Sequence, residues 1–384
     1  MKAGTQITTK LNTIEEAIEA IRNGEIVIII DDEDRENEGD FVCAAECVTP
    51  EIINFMATHG RGLICTPISE HRAKELELNR MVSHNTDLHG TAFTVSLDYK
   101  LKGCTTGISA YDRATGIKAL TDPKTKTEDF ARPGHIFPLI AKPGGVLRRT
   151  GHTEAAVDLA QMAGFSPAGV LVEILNPDGT MARMPQLMEI ARRFGLKIIT
   201  IKDLVAHRMK SERLVEPVTS INLDTAYGEF EVIAYREINS GQSHLVLRMG
   251  QWELNEPVLT RVHAGSNSGE LFALLIKGMN KELHQTLRMI AQEGKGALVL
   301  LRYKEGEDIM IRTIEKLKQQ QQRGEKLNPF IHRFLESEQK DIGIGAQILN
   351  HLGIRKVRLL TNTPKKRVGL IGYGIEIVEN VQIS

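Results

Sequence analysis

The stretch that decides the fold of this chain is EIVIIIDDEDRENEGD, residues 25–40. Its first part, Glu25–Ile30, is a short run rich in β-branched residues, which is typical of a strand covered on both faces. Its second part, Asp31–Asp40, carries seven acidic side chains in ten positions. The carboxylates therefore follow directly on a buried strand, at the carboxyl end where α/β folds commonly build their sites. The stretch predicts an α/β (α+β) fold with a candidate site in this loop.

The acidic loop allows two interpretations from its residues alone. It could be a solvated acidic loop, or it could line a pocket. Arg35 and Gly39 among the acids favour a pocket that binds an anion and a cation together. A calcium loop is disfavoured because, with Asp32 as first ligand, the sixth position would need glycine but holds Asn37.

The length of 384 residues is enough for two domains of ordinary size. Upstream of the first strand, Thr13–Glu16 resembles a capping box that opens a helix, which Gly24 would stop. Strands and helices then alternate irregularly as far as Arg208, and new strand patterns follow Pro217. We predict domains over residues 1–208 and 217–384, each a mixed sheet with helices.

The global charge excludes some classes of partner. Lys plus Arg number 48 and Asp plus Glu 49, so we expect a small-molecule partner, no nucleic acid and no anionic membrane. No apolar run approaches the ~20 residues of a membrane span and the N-terminus lacks a signal-peptide core, so we expect a cytoplasmic protein. The cysteines are expected to be reduced thiols, and they stand at Cys43, Cys47, Cys65 and Cys104.

A second cluster surrounds RRTGHT, Arg148–Thr153. Two guanidiniums and the start of a helix, with Thr153 as its expected N-cap, would converge on one point. That combination of backbone donors, helix dipole and arginines predicts a phosphate site. The alternative is an ordinary loop before a helix, and His135 and His152 taken singly could each be structural.

Taken together, the motifs resemble those of the 3,4-dihydroxy-2-butanone 4-phosphate synthase family over about residues 10–206. They are DDEDRENEGD, HGTAFTVSLD, CTTGISAYDRAT, RPGHIFPL, RRTGHTEAAVDL and AGVLVEILNPDGTMAR. The resemblance implies a lyase of riboflavin biosynthesis that converts ribulose 5-phosphate to 3,4-dihydroxy-2-butanone 4-phosphate and formate. It also implies bound Mg²⁺ and a homodimer.

The resemblance also assigns roles by position. It implies that Glu36 and His152 hold the metal, and that His135 and Glu173 act in catalysis. A histidine ligand is unusual for Mg²⁺, so Mn²⁺ is a plausible substitute. The substrate would contact Arg35, Glu36, Asp40, Arg149, Thr150, Gly151, His152, Thr153 and Glu173.

The second domain resembles GTP cyclohydrolase II, a zinc enzyme of the same pathway, in VLLRYKEGEDIMI, GIGAQIL and LLTNTP. The cysteines of that family's zinc motif are replaced here by Ser266, Lys277 and Met279. These are poor zinc ligands. Further departures stand at Glu307, which reverses the charge of the family's arginine, and at Glu338 and Lys340, which replace its aspartate and a second arginine.

These departures predict a domain without zinc that does not open GTP and serves as scaffold or regulator. Two alternatives stay open. The domain could be part of a bifunctional enzyme with a rebuilt, zinc-free site, or it could sense a nucleotide or flavin. Thr361 and Lys366, which resemble nucleotide contacts, are retained.

Overall fold

A computed structural model describes residues 11–33, 35–82, 85–87, 90–238, 240–265, 281–302, 309–327, 342–362 and 370–383. The chain divides into two units, Met1–Lys210 and Ser211–Ser384. This division lies inside the segment from Arg208 to Pro217 that the sequence marks as a boundary.

The first unit contains seven strands and seven helices among its described residues. The strands are β1 Val27–Ile30, β2 Gly39–Ala44, β3 Cys65–Ser69, β4 Leu97–Tyr99, β5 Phe130–Ala141, β6 Gly169–Glu173 and β7 Lys197–Thr200. The helices are α1 Ile14–Arg22, α2 Pro50–His59, α3 Glu70–Glu75, α4 Ala110–Thr121, α5 His152–Met162, α6 Met184–Phe194 and α7 Ile201–Arg208.

These strands form one mixed sheet in the order β4-β5-β3-β6-β2-β1-β7. β1 runs parallel to β7 and β3 runs parallel to β5, whereas β2 is antiparallel to both β1 and β6. β1 is buried along its whole length, as expected for a run of β-branched residues covered on both faces. The acidic loop therefore leaves β1, which lies between β2 and the edge strand β7, and returns as β2 beside it.

The first helix begins as its capping box predicts. The Glu16 backbone N–H donates to Thr13 Oγ1 at 3.2 Å, and the Thr13 N–H donates to Glu16 Oε2 at 2.8 Å. These two bonds satisfy donors that the first helical turn would otherwise leave free. The helix ends at Arg22, and Gly24 follows with a φ of 77°.

The second unit contains a second seven-stranded sheet. Its strands are β8 Val215–Thr225, β9 Gly228–Glu237, β10 Ser243–Met249, β11 Pro257–Gly265, β12 Gly296–Arg302, β13 Lys356–Leu360 and β14 Glu376–Val381. Its described helices are α8 Lys281–Glu293, α9 Ile309–Gln322 and α10 Ile342–His351. The strand order is β14-β13-β11-β12-β10-β9-β8, with β11 to β14 parallel and β8 to β10 antiparallel.

Each unit is thus a mixed sheet with helices, which confirms the predicted α/β class. Among the described residues, no helix has both the length and the apolarity to cross a membrane. The altered positions of the second unit lie outside the described residues, so the prediction for that site stays a prediction from sequence; they are Ser266, Lys277, Met279, Glu307, Glu338 and Lys340.

Candidate active site

The acidic loop is organised by its first residue, Asp31. One carboxylate oxygen, Oδ2, accepts from Arg35 Nη1 at 2.8 Å and from the Glu36 backbone N–H at 3.1 Å. The other, Oδ1, accepts from the Glu38 N–H at 2.8 Å. The side chain of Asp31 is fully buried. The loop is therefore a built structure, which favours the pocket over the solvated loop.

Asp31, Glu36 and His152 form a group able to hold a metal ion. Each offers one ligand atom, and these atoms lie within 4.8 Å of one another. Two carboxylates and an imidazole suit a divalent cation that prefers oxygen but tolerates nitrogen, as Mg²⁺ and Mn²⁺ do. The structure thus brings together the two predicted ligands and adds Asp31, which the resemblance did not single out.

The imidazole of His152 is held in the state that a ligand needs. Its Nε2 lies 3.2 Å from the Ile29 carbonyl oxygen, which can only accept, so Nε2 carries the hydrogen and Nδ1 keeps a lone pair. Burial lowers the pKa of His152, although the charge of Asp31 opposes that shift. The ring is therefore neutral near pH 7.

Asp40 and Glu173 lie opposite each other on two adjacent strands. They are partners in the antiparallel register of β2 and β6. Burial raises the pKa of Asp40 well above its usual range, and the nearby carboxylate of Glu173 adds to the shift. Asp40 Oδ1 is buried without a hydrogen-bond partner among the described residues and lies 4.0 Å from His152 Nε2. An unpartnered buried oxygen is costly unless a ligand satisfies it.

Glu173 is held by the loop after α2. Its Oε2 accepts from the Leu63 N–H at 2.8 Å, and burial raises the pKa of Glu173. A Cβ at Gly62 would lie 2.4 Å from the same oxygen, so a side chain at that position would have to displace the carboxylate. The Glu173 carboxyl group is thus fixed in place, and burial biases both groups of the pair toward the protonated form.

The basic loop meets the start of α5. Arg149 is buried, and its Nη1 donates to Glu154 Oε2 at 2.7 Å. The N-cap of α5 is Gly151, not Thr153; the predicted cap is wrong, since Thr153 lies in the first helical turn. A Cβ at Gly151 would lie 2.4 Å from Arg149 Nη1, so glycine lets the guanidinium approach the helix start. Thr150 precedes this cap and is half-buried.

Cationic side chains concentrate around this loop. Burial lowers the pKa of Lys142, and the positive charges of Arg80, Arg148 and Arg149 lower it further. Several cations near one helix N-terminus form a site suited to a phosphate. The Glu154 carboxylate of the basic cluster also interacts electrostatically with Arg35 of the acidic loop. The anion site and the metal-competent group are therefore neighbours.

His135 pairs with Asp98 of β4. Its ring Nδ1 is 2.8 Å from Asp98 Oδ2, and its backbone N–H donates to Asp98 Oδ1 at 2.8 Å. The pairing with Asp98 was not predicted. Its only sequence sign is the aspartate that closes HGTAFTVSLD.

Comparison with known proteins decides the family. The sequence model of the 3,4-dihydroxy-2-butanone 4-phosphate synthase family matches residues 15–207, and the sequence model of the GTP cyclohydrolase II family matches residues 216–382. The chain belongs to the 3,4-dihydroxy-2-butanone 4-phosphate synthase family. It carries a GTP cyclohydrolase II-like unit behind its synthase unit.

Curated relatives share both units of this synthase. The riboflavin biosynthesis protein RibBA of Cytophaga hutchinsonii is 54% identical, over 98% of this chain and 93% of the relative. That of Aquifex aeolicus is 52% identical, over 98% and 93%. The resemblance of the second unit to GTP cyclohydrolase II is thereby confirmed, whereas its loss of activity stays a prediction.

Solved structures support the same assignment. RibBX of A. baumannii, described as a two-domain 3,4-dihydroxy-2-butanone 4-phosphate synthase, is 38% identical, with a TM-score of 0.65 over 97% of this chain and 100% of that one. A 3,4-dihydroxy-2-butanone 4-phosphate synthase in complex with two magnesium ions is 45% identical, with a TM-score of 0.51 over 52% of this chain and 98% of that one.

Proposed function

We propose that the first unit converts ribulose 5-phosphate to 3,4-dihydroxy-2-butanone 4-phosphate and formate, as a lyase of riboflavin biosynthesis. The observation that carries the proposal is the meeting of Glu36 and His152, with Asp31, beside the basic start of α5. Such a pairing of a metal-competent group with an anion site suits a sugar phosphate. Family membership supplies the reaction that this chemistry would serve.

The metal in this proposal is Mg²⁺ or Mn²⁺, held by Glu36 and His152 with Asp31 within reach. When bound, a divalent cation stabilises the negative charge that develops on enediolate oxygens. Asp31 also fixes the Glu36 backbone through the hydrogen bond to its N–H, so the position of the ligand depends on that bond.

The phosphate of the substrate would bind at the start of α5. Arg149 is oriented there by Glu154, and the backbone around Gly151 presents the N–H groups of the first helical turn. Charge-assisted hydrogen bonds to phosphate are among the stronger ones that proteins make. Binding of the phosphate at this point would determine which carbon atoms of the substrate lie beside the carboxyl groups of the site.

Asp40 and Glu173 are suited to proton transfer in the enolisation and dehydration steps. Burial raises both pKa values, and a carboxyl group kept protonated in this way can act as a general acid. Asp98 accepts from the Nδ1–H of His135, which leaves Nε2 of that ring able to take a proton. The water lost on dehydration must be regained before formate leaves, so that the atoms of substrate and products balance.

The test is a turnover assay on the purified full-length chain with ribulose 5-phosphate. We expect formate and the four-carbon phosphate in equal amounts, loss of turnover in EDTA, and recovery when Mg²⁺ or Mn²⁺ is restored. Absence of formate with either metal present, or turnover that EDTA leaves unchanged, would count against the proposal.

The resemblance to the synthase family implies a homodimer, which we also propose. We propose further that the second unit holds no zinc and does not open GTP. Support comes from the sequence, because Ser266, Lys277 and Met279 cannot form a thiolate zinc site. Glu307 reverses the charge of the family's arginine that would meet a triphosphate, and Lys340 replaces an arginine whose bidentate contacts lysine cannot match. RibBX, likewise a two-unit chain, is described as a synthase, which fits this interpretation. A bifunctional enzyme and a nucleotide or flavin sensor are the alternatives that the same assays would reveal.

A further inference from the structure

Asp158 is a buried carboxylate that the proposed chemistry does not use. It lies in α5, and its side chain is 7% exposed. Its Oδ2 accepts from the Val146 N–H at 2.8 Å and from Arg208 Nη1 at 2.6 Å. Burying a carboxylate is costly unless hydrogen bonds and an opposite charge compensate. Both are present here, and both come from outside α5.

The first partner belongs to the loop Lys142–Arg149, which we call the phosphate loop. A Cβ at Gly145 would lie 2.0 Å from Asp158 Oδ1, and the φ of Gly145 is 60°. Only glycine accepts both that backbone conformation and that proximity. The phosphate loop is therefore packed directly against the carboxylate.

The second partner joins the same loop to another helix. Arg208 is the last residue of α7, and its Nη1 donates to the Gly144 carbonyl oxygen at 3.1 Å as well as to Asp158. Its side chain is 11% exposed. One guanidinium nitrogen thus holds both the carboxylate of α5 and the backbone of the phosphate loop.

Glu154, one helical turn before Asp158, holds the two ends of the loop. Its Oε1 accepts from the Lys142 N–H at 3.0 Å, and its Oε2 accepts from Arg149 Nη1 at 2.7 Å. Residues four apart lie on one face of a helix. The face of α5 toward the loop therefore carries two carboxylates, one for the ends of the loop and one for its middle.

We propose that Asp158 and Arg208 are positioning residues that clamp the phosphate loop in the shape that receives the substrate phosphate. This inference rests on the proposed function of the first unit. Neither residue need touch the substrate, because each acts on the backbone that precedes Arg148 and Arg149. The second unit begins at Ser211, so the clamp fixes the loop to the chain just before that unit.

The test compares full-length Asp158→Asn, Arg208→Ala and Arg208→Lys with the wild-type chain. We expect Asp158→Asn and Arg208→Ala to raise KM for ribulose 5-phosphate about tenfold, as for one lost hydrogen bond to a charged group, with kcat within about twofold. Arg208→Lys should retain most of the affinity, since both bonds come from a single nitrogen that Nζ can replace. Lys202→Ala, an exposed change in the same helix, is the matched control.

Further measurements separate positioning from general damage. Circular dichroism checks that each variant is folded, and if Asp158→Asn fails to fold, the two Arg208 variants decide. The double variant of Asp158→Asn and Arg208→Ala should cost little more than either single change, because the two residues act as a unit. Unchanged KM in folded variants, or a loss confined to kcat, overturns the clamp.

A binding measurement keeps the clamp distinct from the proposed function. If the wild-type chain shows no turnover, the proposed function fails, and titration with inorganic phosphate then tests the clamp by itself. We expect weaker phosphate binding in Asp158→Asn and Arg208→Ala than in the wild type and Lys202→Ala. Equal phosphate affinity in all four proteins would overturn the clamp even if the synthase activity were present.

Discussion

At the scale of single residues, Asp31 accepts hydrogen bonds from Arg35, Glu36 and Glu38. These bonds fold the acidic loop onto its own first residue and aim Glu36 at His152. The seven acidic residues of the stretch predicted a site but not the role of each residue in it. Which acid holds the loop and which faces a ligand depends on burial, and burial is set by the strand that precedes them.

The first prediction concerns Glu36. Glu36→Gln should abolish the EDTA-sensitive turnover and weaken Mn²⁺ binding at least tenfold, because it removes a carboxylate from the metal-competent group. Isothermal titration with Mn²⁺ measures the binding. Glu33→Gln is the control, since Glu33 is an exposed acid of the same loop. Equal Mn²⁺ affinity in the two variants would contradict the assignment.

At the scale of elements, helix α5 combines several functions along its length. His152 stands in its first turn, Glu154 holds Arg149, and Asp158 holds the phosphate loop and Arg208. The sequence predicted a helix here with a phosphate site at its start. It did not predict the two buried carboxylates, because acidic residues in a helix are more often solvated.

The second prediction concerns the pH dependence of stability. Burial raises the pKa of Asp158 to about 6, above the value near 3.9 of an unfolded chain. The folded state thus binds this proton more tightly, and the group's contribution to stability falls as pH rises from about 4 to about 6. Asparagine has no carboxyl group to titrate, so Asp158→Asn removes this pH-dependent loss of stability.

The stability of Asp158→Asn relative to wild type should therefore increase by about 2–3 kcal/mol between pH 4 and pH 7. Calorimetric thermal midpoints over that range measure the trend. A variant that instead loses stability relative to wild type as pH rises would show that Arg208 holds the pKa of Asp158 below its ordinary value. The expected gain in stability would accompany the weaker substrate binding inferred above, as often happens at functional sites.

At the scale of the whole molecule, two mixed sheets follow one another along the chain, and family models match each of them. By resemblance, the second unit keeps the scaffold motifs of GTP cyclohydrolase II, and we predict that its zinc-ligand positions are altered. A fold can be retained without its chemistry, because packing depends on many apolar positions and a metal site on a few polar ones. The two units can therefore differ in activity.

The third prediction concerns that second unit. The purified chain should contain less than about 0.1 zinc per chain and release no formate from GTP above a no-enzyme control, since no thiolate remains to hold the metal. Elemental analysis and a GTP assay test this. A triple variant should restore metal binding at best; its changes are Ser266→Cys, Lys277→Cys and Met279→Cys. Catalysis would not return, because the other altered positions of the site would remain and residues that act as a unit are not repaired in part. One zinc per unmodified chain with GTP turnover would establish the bifunctional alternative.

The sequence by itself determined the buried strand that the structure places at Val27–Ile30, the acidic loop after it and the family motifs, because each is a pattern of neighbouring residues. Only the tertiary structure decided that Asp31 joins His152 in the metal-competent group, and that Asp158 meets Arg208. These partners are far apart along the chain. Their contact follows from sheet order, strand register and helix packing, and local periodicity carries no information about which distant side chains those features bring together.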